Sequence, residues 1–124
     1  MTYHCLCFQS IQVREVGPNL QDHEQIRNNK WQNGFTTVDG TIYGIPLKGE
    51  TVLRIRPVSG TDNDPDIASI GGPYLGLKKW EGGMSAANGD MYCIPFKHKY
   101  SLRIRPLSQK QDEEKVRTRS NYLI

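Results

Sequence analysis

The sequence predicts an all-β protein built from tandem four-stranded antiparallel meanders. Three observations carry this. The stretch from Lys30, "KWQNGFTTVDGTIYGIPLKGETVLRIRP", returns from Lys79 as "KWEGGMSAANGDMYCIPFKHKYSLRIRP", with no gap and 13 of 28 positions identical. Both copies break at the same places, Asp39-Gly40 or Asn88-Gly89 and then at prolines. Between the breaks, apolar residues alternate with period two, the spacing that puts them on one face of a strand.

Each element of the unit follows from its residues. "GFTTV" and its counterpart "GMSAA" supply a first strand, placed near 35–38 in the first copy. Asp-Gly and Asn-Gly are favoured two-residue hairpin turns, because both central positions need φ > 0. "TIYGIP" and "DMYCIP" are rich in β-branched and aromatic residues, which predicts strands over 41–46 and 90–95. Pro46 and Pro95 end them, since proline cannot donate to the ladder. After the polar links "LKGE" and "FKHK" come strands over 51–56 and 100–105. Leu53 and Ile55 take one face there, Arg54 and Arg56 the other. The loop "VSGTDNDP" leads to a fourth strand over 66–70.

The N-terminal "IQVREVGPNL" aligns loosely with "DIASIGGPYL", each ahead of a Lys-Trp. Residues 11–17 therefore read as the fourth strand of a preceding unit, available to complete the last unit on this or another chain. The expected organisation is an N-terminal extension over 1–10 and a repeat domain over 11–107. Its units run from about 30–78 and 79–107, the latter with strand 11–17. A charged tail follows over 108–124.

Four strands in a unit of 49 residues match one blade of a β-propeller, whose repeats run to about 40–50 residues. Two such units fall short of the roughly 4–8 blades that close a ring, and would leave broad apolar faces in water. The expectation is a partial propeller, completed by self-association or left as part of a longer ancestor.

These residues resemble a repeat of the form K-W-x-G-G-x-x-A-x-N-G-x-I-Y-x-I-P…V-L-x-I-D-P. It occurs in kelch-like, propeller-like proteins of eukaryotes, most of them uncharacterised. Lys79, Trp80, Gly82, Gly83, Ala86, Asn88, Gly89, Tyr92, Ile94 and Pro95 match it. So do Lys30, Trp31, Gly34, Gly40, Tyr43, Ile45 and Pro46. The resemblance covers roughly residues 11–107 and implies the propeller fold. Both copies carry arginine, Arg56 and Arg105, where the repeat has aspartate, so no metal role of that aspartate is implied. A fold of this kind hosts many chemistries.

Composition narrows the classes. The chain is 36% hydrophobic and 23% charged, with 12 glycines and a net charge of +3. No apolar run approaches the ~20 residues that span a bilayer, so no membrane partner is expected. The N-terminus lacks the pattern of a secretory signal. Three cysteines cannot all pair within one chain, so free thiols and a cytoplasmic location are expected. The mild positive charge permits an anionic partner without demanding one, and nucleic acid is not expected.

No catalytic constellation stands out. His4, Cys5 and Cys7 form an incomplete ligand set for zinc, which takes four ligands. "TDNDPD" lacks the glycine and distal glutamate of a calcium loop. His23 and His98 have no evident nucleophile to serve. Arg54, Arg56, Arg103 and Arg105 form two stripes suited to carboxylate or phosphate, though pairing with neighbouring acids is the simpler reading. Trp31 and Trp80, placed just ahead of each first strand, read first as packing anchors.

One combination is more informative than its parts. In a meander, the link from strand two to strand three shares an end with the link into strand one. That end gathers Trp31, Lys48, Tyr74, Lys79, Trp80, Lys97, His98, Lys99 and Tyr100 into a basic and aromatic rim. Loops at one end of a rigid scaffold are where binding sites are built. The expected function is a non-enzymatic binding or scaffold module, without cofactor, whose ligand is an acidic glycan, a polyanion or an acidic protein segment. The alternative is a remnant or subunit of a propeller-type metal-dependent hydrolase. Against it, the first strands offer Asn33 and Glu81 but no repeated acid.

Overall fold

The computed structural model describes residues 11–20, 28–58 and 63–106. It is all-β, and no helix occurs among these residues. Four strands, β1 (Trp31–Thr36), β2 (Ile42–Pro46), β3 (Val52–Arg56) and β4 (Asp66–Ile70), form one antiparallel sheet in the order β1-β2-β3-β4. Three more, β5 (Trp80–Ser85), β6 (Met91–Pro95) and β7 (Leu102–Ile104), form a second sheet in the order β5-β6-β7. Each sheet is a meander, as the repeat requires.

The first strand of each sheet begins earlier than its residue pattern predicts. Trp31 and Trp80 do not precede a strand; they open β1 and β5. The cause is a bulge. Trp31 faces Pro46 and Gly34 faces Gly44, so the register shifts between them, and Asn33 takes a positive φ of 61°. Trp80 faces Pro95 and Gly82 faces Ile94 with the same slip. An extra residue breaks the period-two alternation that marks a strand in sequence.

The hairpin turns also differ from the two-residue form. The Thr37 N–H donates to Thr41 O at 2.8 Å and the Gly40 N–H to Thr37 O at 3.0 Å; Ala86 and Gly89 repeat this with Asp90 and Ala86. The loops are therefore three residues long, with only Gly40 and Gly89 left-handed, at φ 86° and 88°. This is a turn closed by a glycine bulge. Asp39 and Asn88 each accept an N–H two residues on, from Thr41 and Asp90, both at 3.0 Å. That role explains why either Asp or Asn serves at this position.

Residues 11–17 form no strand in the single chain; this corrects the expectation of a fourth strand there. Ile11 and Val13 are almost fully exposed, and no strand among the described residues pairs with the segment. The segment still touches the first sheet: Arg14 pairs with Asp64 at 3.0 Å, and Gly17 lies against the Ile67 side chain.

The two sheets pack front to back. Cross-strand partners share a face, so Phe35 with Tyr43 and Val52 with Ile70 define the front of the first sheet, together with Ile45. Met91 with Ile104 and Cys93 with Leu102 define the back of the second. Tyr43, Ile45, Val52, Trp80, Met91, Cys93, Leu102 and Ile104 form one core cluster, with Phe35, Ile70 and Tyr74 against it. The front of the first sheet thus covers the back of the second, and the two equivalent faces do not meet. The two sheets stack in the same sense, one behind the other, and do not form a face-to-face sandwich of equivalent faces. Between β1 and β5, Asn33 Nδ2 donates to Glu81 O at 2.8 Å and Gln32 Nε2 to Glu81 Oε1 at 3.1 Å.

Candidate functional site

The repeated Lys-Trp has a structural cause. The Trp31 indole N–H donates to Thr51 O at 2.7 Å, and that of Trp80 to Tyr100 O at 2.9 Å. Each tryptophan thereby ties the start of its sheet to the end of the link before the third strand. The preceding lysine reaches back instead. Lys79 Nζ donates to Gly76 O at 2.7 Å, and Lys30 Nζ donates to Leu20 O while lying 4.6 Å from the Trp31 ring centre. Both lysines are buried. A long aliphatic stem can be buried so long as its ammonium is satisfied.

The links converge at one end. The Leu47 and Phe96 N–H groups donate to Lys30 O and Lys79 O at 3.0 and 2.8 Å, and those of Lys48 and Lys97 to Asn29 O and Lys78 O at 3.3 and 2.9 Å. Lys79 N–H donates to Leu47 O at 2.9 Å, and Tyr74 N–H to Glu50 O at 2.8 Å, joining the two sheets' links into one rim.

The nine predicted site residues divide by depth. Lys79 and Trp80 are buried; Trp31, Lys48, Tyr74 and His98 are half-buried; Lys97, Lys99 and Tyr100 are exposed. Trp80 is the inner member of an aromatic ladder. Tyr74 meets it edge-on at 5.5 Å between ring centres, His98 lies over it at 4.4 Å, and Tyr100 follows His98 at 6.3 Å. Tyr100 N–H also donates to His98 Nδ1 at 3.3 Å. The ladder runs from the core to the surface, so the accessible ring is Tyr100, flanked by Lys97 and Lys99. Trp80 supports it from below, as a packing anchor. No carboxylate among the described residues pairs with Lys78, Lys97 or Lys99.

One arginine of each stripe meets an acid. Arg54 pairs with Asp66 at 3.3 Å. Arg105 donates to Asp90 through Nε at 2.9 Å and Nη2 at 2.7 Å. This last pair was not anticipated from sequence. The register that sets Met91 opposite Ile104 places position 90 opposite 105, so the signal was present in the hairpin spacing. The first copy has Thr41 where Asp90 stands. The hydrogen bond from Arg105 holds the Asp90 carboxyl below the usual carboxylate range, against the opposing effect of burial.

At the end opposite the rim, an open cleft of about 690 Å³ lies between the two hairpin turns, lined by Thr37, Asp39, Ala86, Asn88 and Arg105 among others. Its polar groups satisfy one another: Asp39 and Asn88 cap their own turns, and Arg105 is held by Asp90.

Among the described residues no group of three or more His, Cys, Asp or Glu is placed to hold a metal. His4, Cys5, Cys7, His23 and Asp62 lie outside the described residues. Asn33 donates to the Glu81 backbone carbonyl, and the Glu81 carboxylate accepts from Gln32. Cys93 is a buried free thiol, and burial pushes it up to about 11. No helix among the described residues is long and apolar enough to cross a membrane. Comparison with protein families, with curated proteins and with solved structures finds no match in any of the three.

Proposed function

We propose that the protein is a non-enzymatic binding or scaffold module of the kelch-like, β-propeller kind, acting in the cytoplasm through its basic-aromatic rim. The ligand class is an acidic glycan, another polyanion or an acidic protein segment. One observation carries this reading. Lys97 and Lys99 stand exposed, with no carboxylate partner among the described residues, on either side of His98, whose ring continues the Trp80–Tyr100 ladder. Charge and a stacking surface are thus held on one link by a rigid scaffold, the pairing that suits sugars and other anionic groups with flat or apolar faces. The first copy has Lys48, Gly49 and Glu50 at the matching positions, so the second unit carries the stronger field. The metal-dependent hydrolase alternative draws no support from the donors present.

The test uses heparin and polyglutamate as probes, at low salt. Both are expected to bind, with affinity falling as salt rises. Lys97→Glu with Lys99→Glu weakens binding far more than Arg54→Glu with Arg56→Glu, which alters the face of the first sheet that packs on the second and is compared only where circular dichroism shows the native fold. Loss confined to the Arg54/Arg56 variant moves the site off the rim. Absence of binding to either probe at low salt removes the proposal.

A further inference from the structure

The two faces that the internal interface leaves over are the two halves of that same interface. On the front of the second sheet, Met84, Tyr92, Ile94 and Phe96 are exposed by 72, 42, 60 and 56%. Their counterparts 49 residues earlier are Phe35, Tyr43, Ile45 and Leu47. Of these, Tyr43, Ile45 and Leu47 are buried to 4, 1 and 7% exposure, and Phe35 is half-buried. On the back of the first sheet, Trp31, Ile42, Gly44, Leu53 and Ile55 are all half-exposed, whereas their counterparts Trp80, Met91, Cys93, Leu102 and Ile104 are all buried. The chain therefore shows both sides of one contact made once and left open once at each end.

The N-terminal segment completes the geometry. The connection from β4 into β5 passes through Gly72-Pro73, with Gly72 at φ 81°. The connection into β1 passes through Gly17-Pro18, with Gly17 at φ 87°. Gly17 lies against Ile67 of β4, and residues 11–16 precede it in the chain as the outer strand of a preceding sheet would. The second sheet has three strands, and no strand among the described residues pairs with the outer edge of β7.

We infer that chains assemble head to tail. The front of the second sheet of one chain seats on the back of the first sheet of the next, and residues 11–16 of that next chain pair with the open edge of β7. One docking satisfies all three unmet surfaces: two apolar faces and a strand edge. Met84 enters over Gly34 of the neighbour as Phe35 approaches Gly83 within the chain, where an added Cβ would stand 2.8 Å from the Phe35 ring. The contact is heterologous, because unlike faces meet, so it generates a ring if the rotation closes. A ring of about 4–8 blades corresponds to about two to four chains. Trp31 and Phe96 lie where the contact meets the rim, whereas Lys97 and Lys99 belong to neither apolar face, so Lys97→Glu with Lys99→Glu leaves assembly unchanged.

Light scattering and sedimentation of the full chain, from low micromolar to submillimolar concentration, test this. The expected particle is a discrete oligomer of about two to four chains. Ile94→Asp alters a side chain that the single chain leaves in water, so circular dichroism stays unchanged while the dissociation constant rises at least about tenfold. Val13→Pro, at a residue exposed in the single chain, removes a donor from the inferred ladder and also weakens assembly. The direction of the contact has its own readout. The Ile94→Asp chain keeps its back face, so immobilised native chain still captures it. Loss of that capture, with native self-association intact, overturns the head-to-tail arrangement in favour of a front-to-front one. A native chain that stays monomeric throughout the range overturns the inference and assigns those faces to another occupant, such as a further sheet of a longer chain or a different protein.

Discussion

Arg105 grips Asp90 by both carboxylate oxygens, at 2.9 and 2.7 Å, and the acid is covered while the base is half in water, with side-chain exposures of 4 and 54%. The pair bolts the start of β6 to the end of β7 beside the turn cleft. A depressed carboxyl favours the folded state wherever the unfolded chain would bind more protons. Its contribution is full above the unfolded value of about 3.9 and is lost as pH falls through the lower folded value. Asp39 acts in the same sense, held down by the Thr37 hydroxyl and the Thr41 N–H. Thermal unfolding followed from neutral pH downward is therefore expected to show Tm falling below about pH 4. Asp90→Asn lowers Tm at neutral pH and flattens that acid limb, leaving the part due to Asp39. An acid limb identical to that of the native chain would show that the pair does not couple to folding.

Two adjacent glycines separate backbone need from side-chain space. A Cβ on Gly83 would lie 2.2 Å from Tyr92 O and 2.8 Å from the Phe35 ring, whereas one on Gly82 meets nothing within 4 Å. At Gly83 both the paired strand β6 and the Phe35 ring of the first sheet come close. Gly83→Ala is expected to cost about 1–3 kcal/mol in urea unfolding, the range for overpacking a filled site. Gly82→Ala stays within about 0.5 kcal/mol, as surface changes usually do. Equal costs would mean that the backbone of β6 and the Phe35 ring yield to a Cβ at Gly83.

Much of this arrangement was legible in the repeat. The offset of 49 residues placed the strands after the turns almost to the residue, and it identified which links share an end. What escaped has identifiable physical causes. A bulge hides a strand start, since Asn33 at positive φ interrupts the alternation that would have included Trp31. Asp-Gly is compatible with both a two-residue turn and a three-residue one, and only the bonds of Thr37 decide. Residues 11–17 have strand composition, but a strand exists only beside a partner. Within the rim, Lys79 was expected to face a ligand and instead lies buried, its ammonium on Gly76 O. Hydropathy assigns lysine to the surface and does not register a carbonyl three residues back. Nor does equivalence of sequence imply equivalence of burial: Tyr43 and Tyr92 occupy one position in the repeat, and only the first has a neighbour over it.

Cys93 offers a probe of the interior at a single atom. It is fully buried between the sheets, at 0% exposure, and burial pushes its thiol up to about 11. The thiolate is the nucleophile, so at neutral pH the group is both covered and protonated. Iodoacetamide is expected to leave Cys93 unmodified in the native protein and to alkylate it rapidly in denaturant, as read by peptide mapping. The sign of the pH effect follows from the same shift. The unfolded chain loses the thiol proton near its ordinary value of about 8.5, whereas the folded chain keeps it until about 11. Stability contributed by the protonated thiol is complete below the unfolded value and declines as pH rises between the two. Cys93→Ala removes the titration, so its unfolding midpoint falls less steeply above about pH 8.5 than that of the native chain, even though the smaller side chain lowers stability at neutral pH by leaving space beside Met91 and Leu102. Prompt alkylation of Cys93 in the native state would show that the seam between the sheets opens freely. The front-to-back packing would then not be the stable core of the molecule.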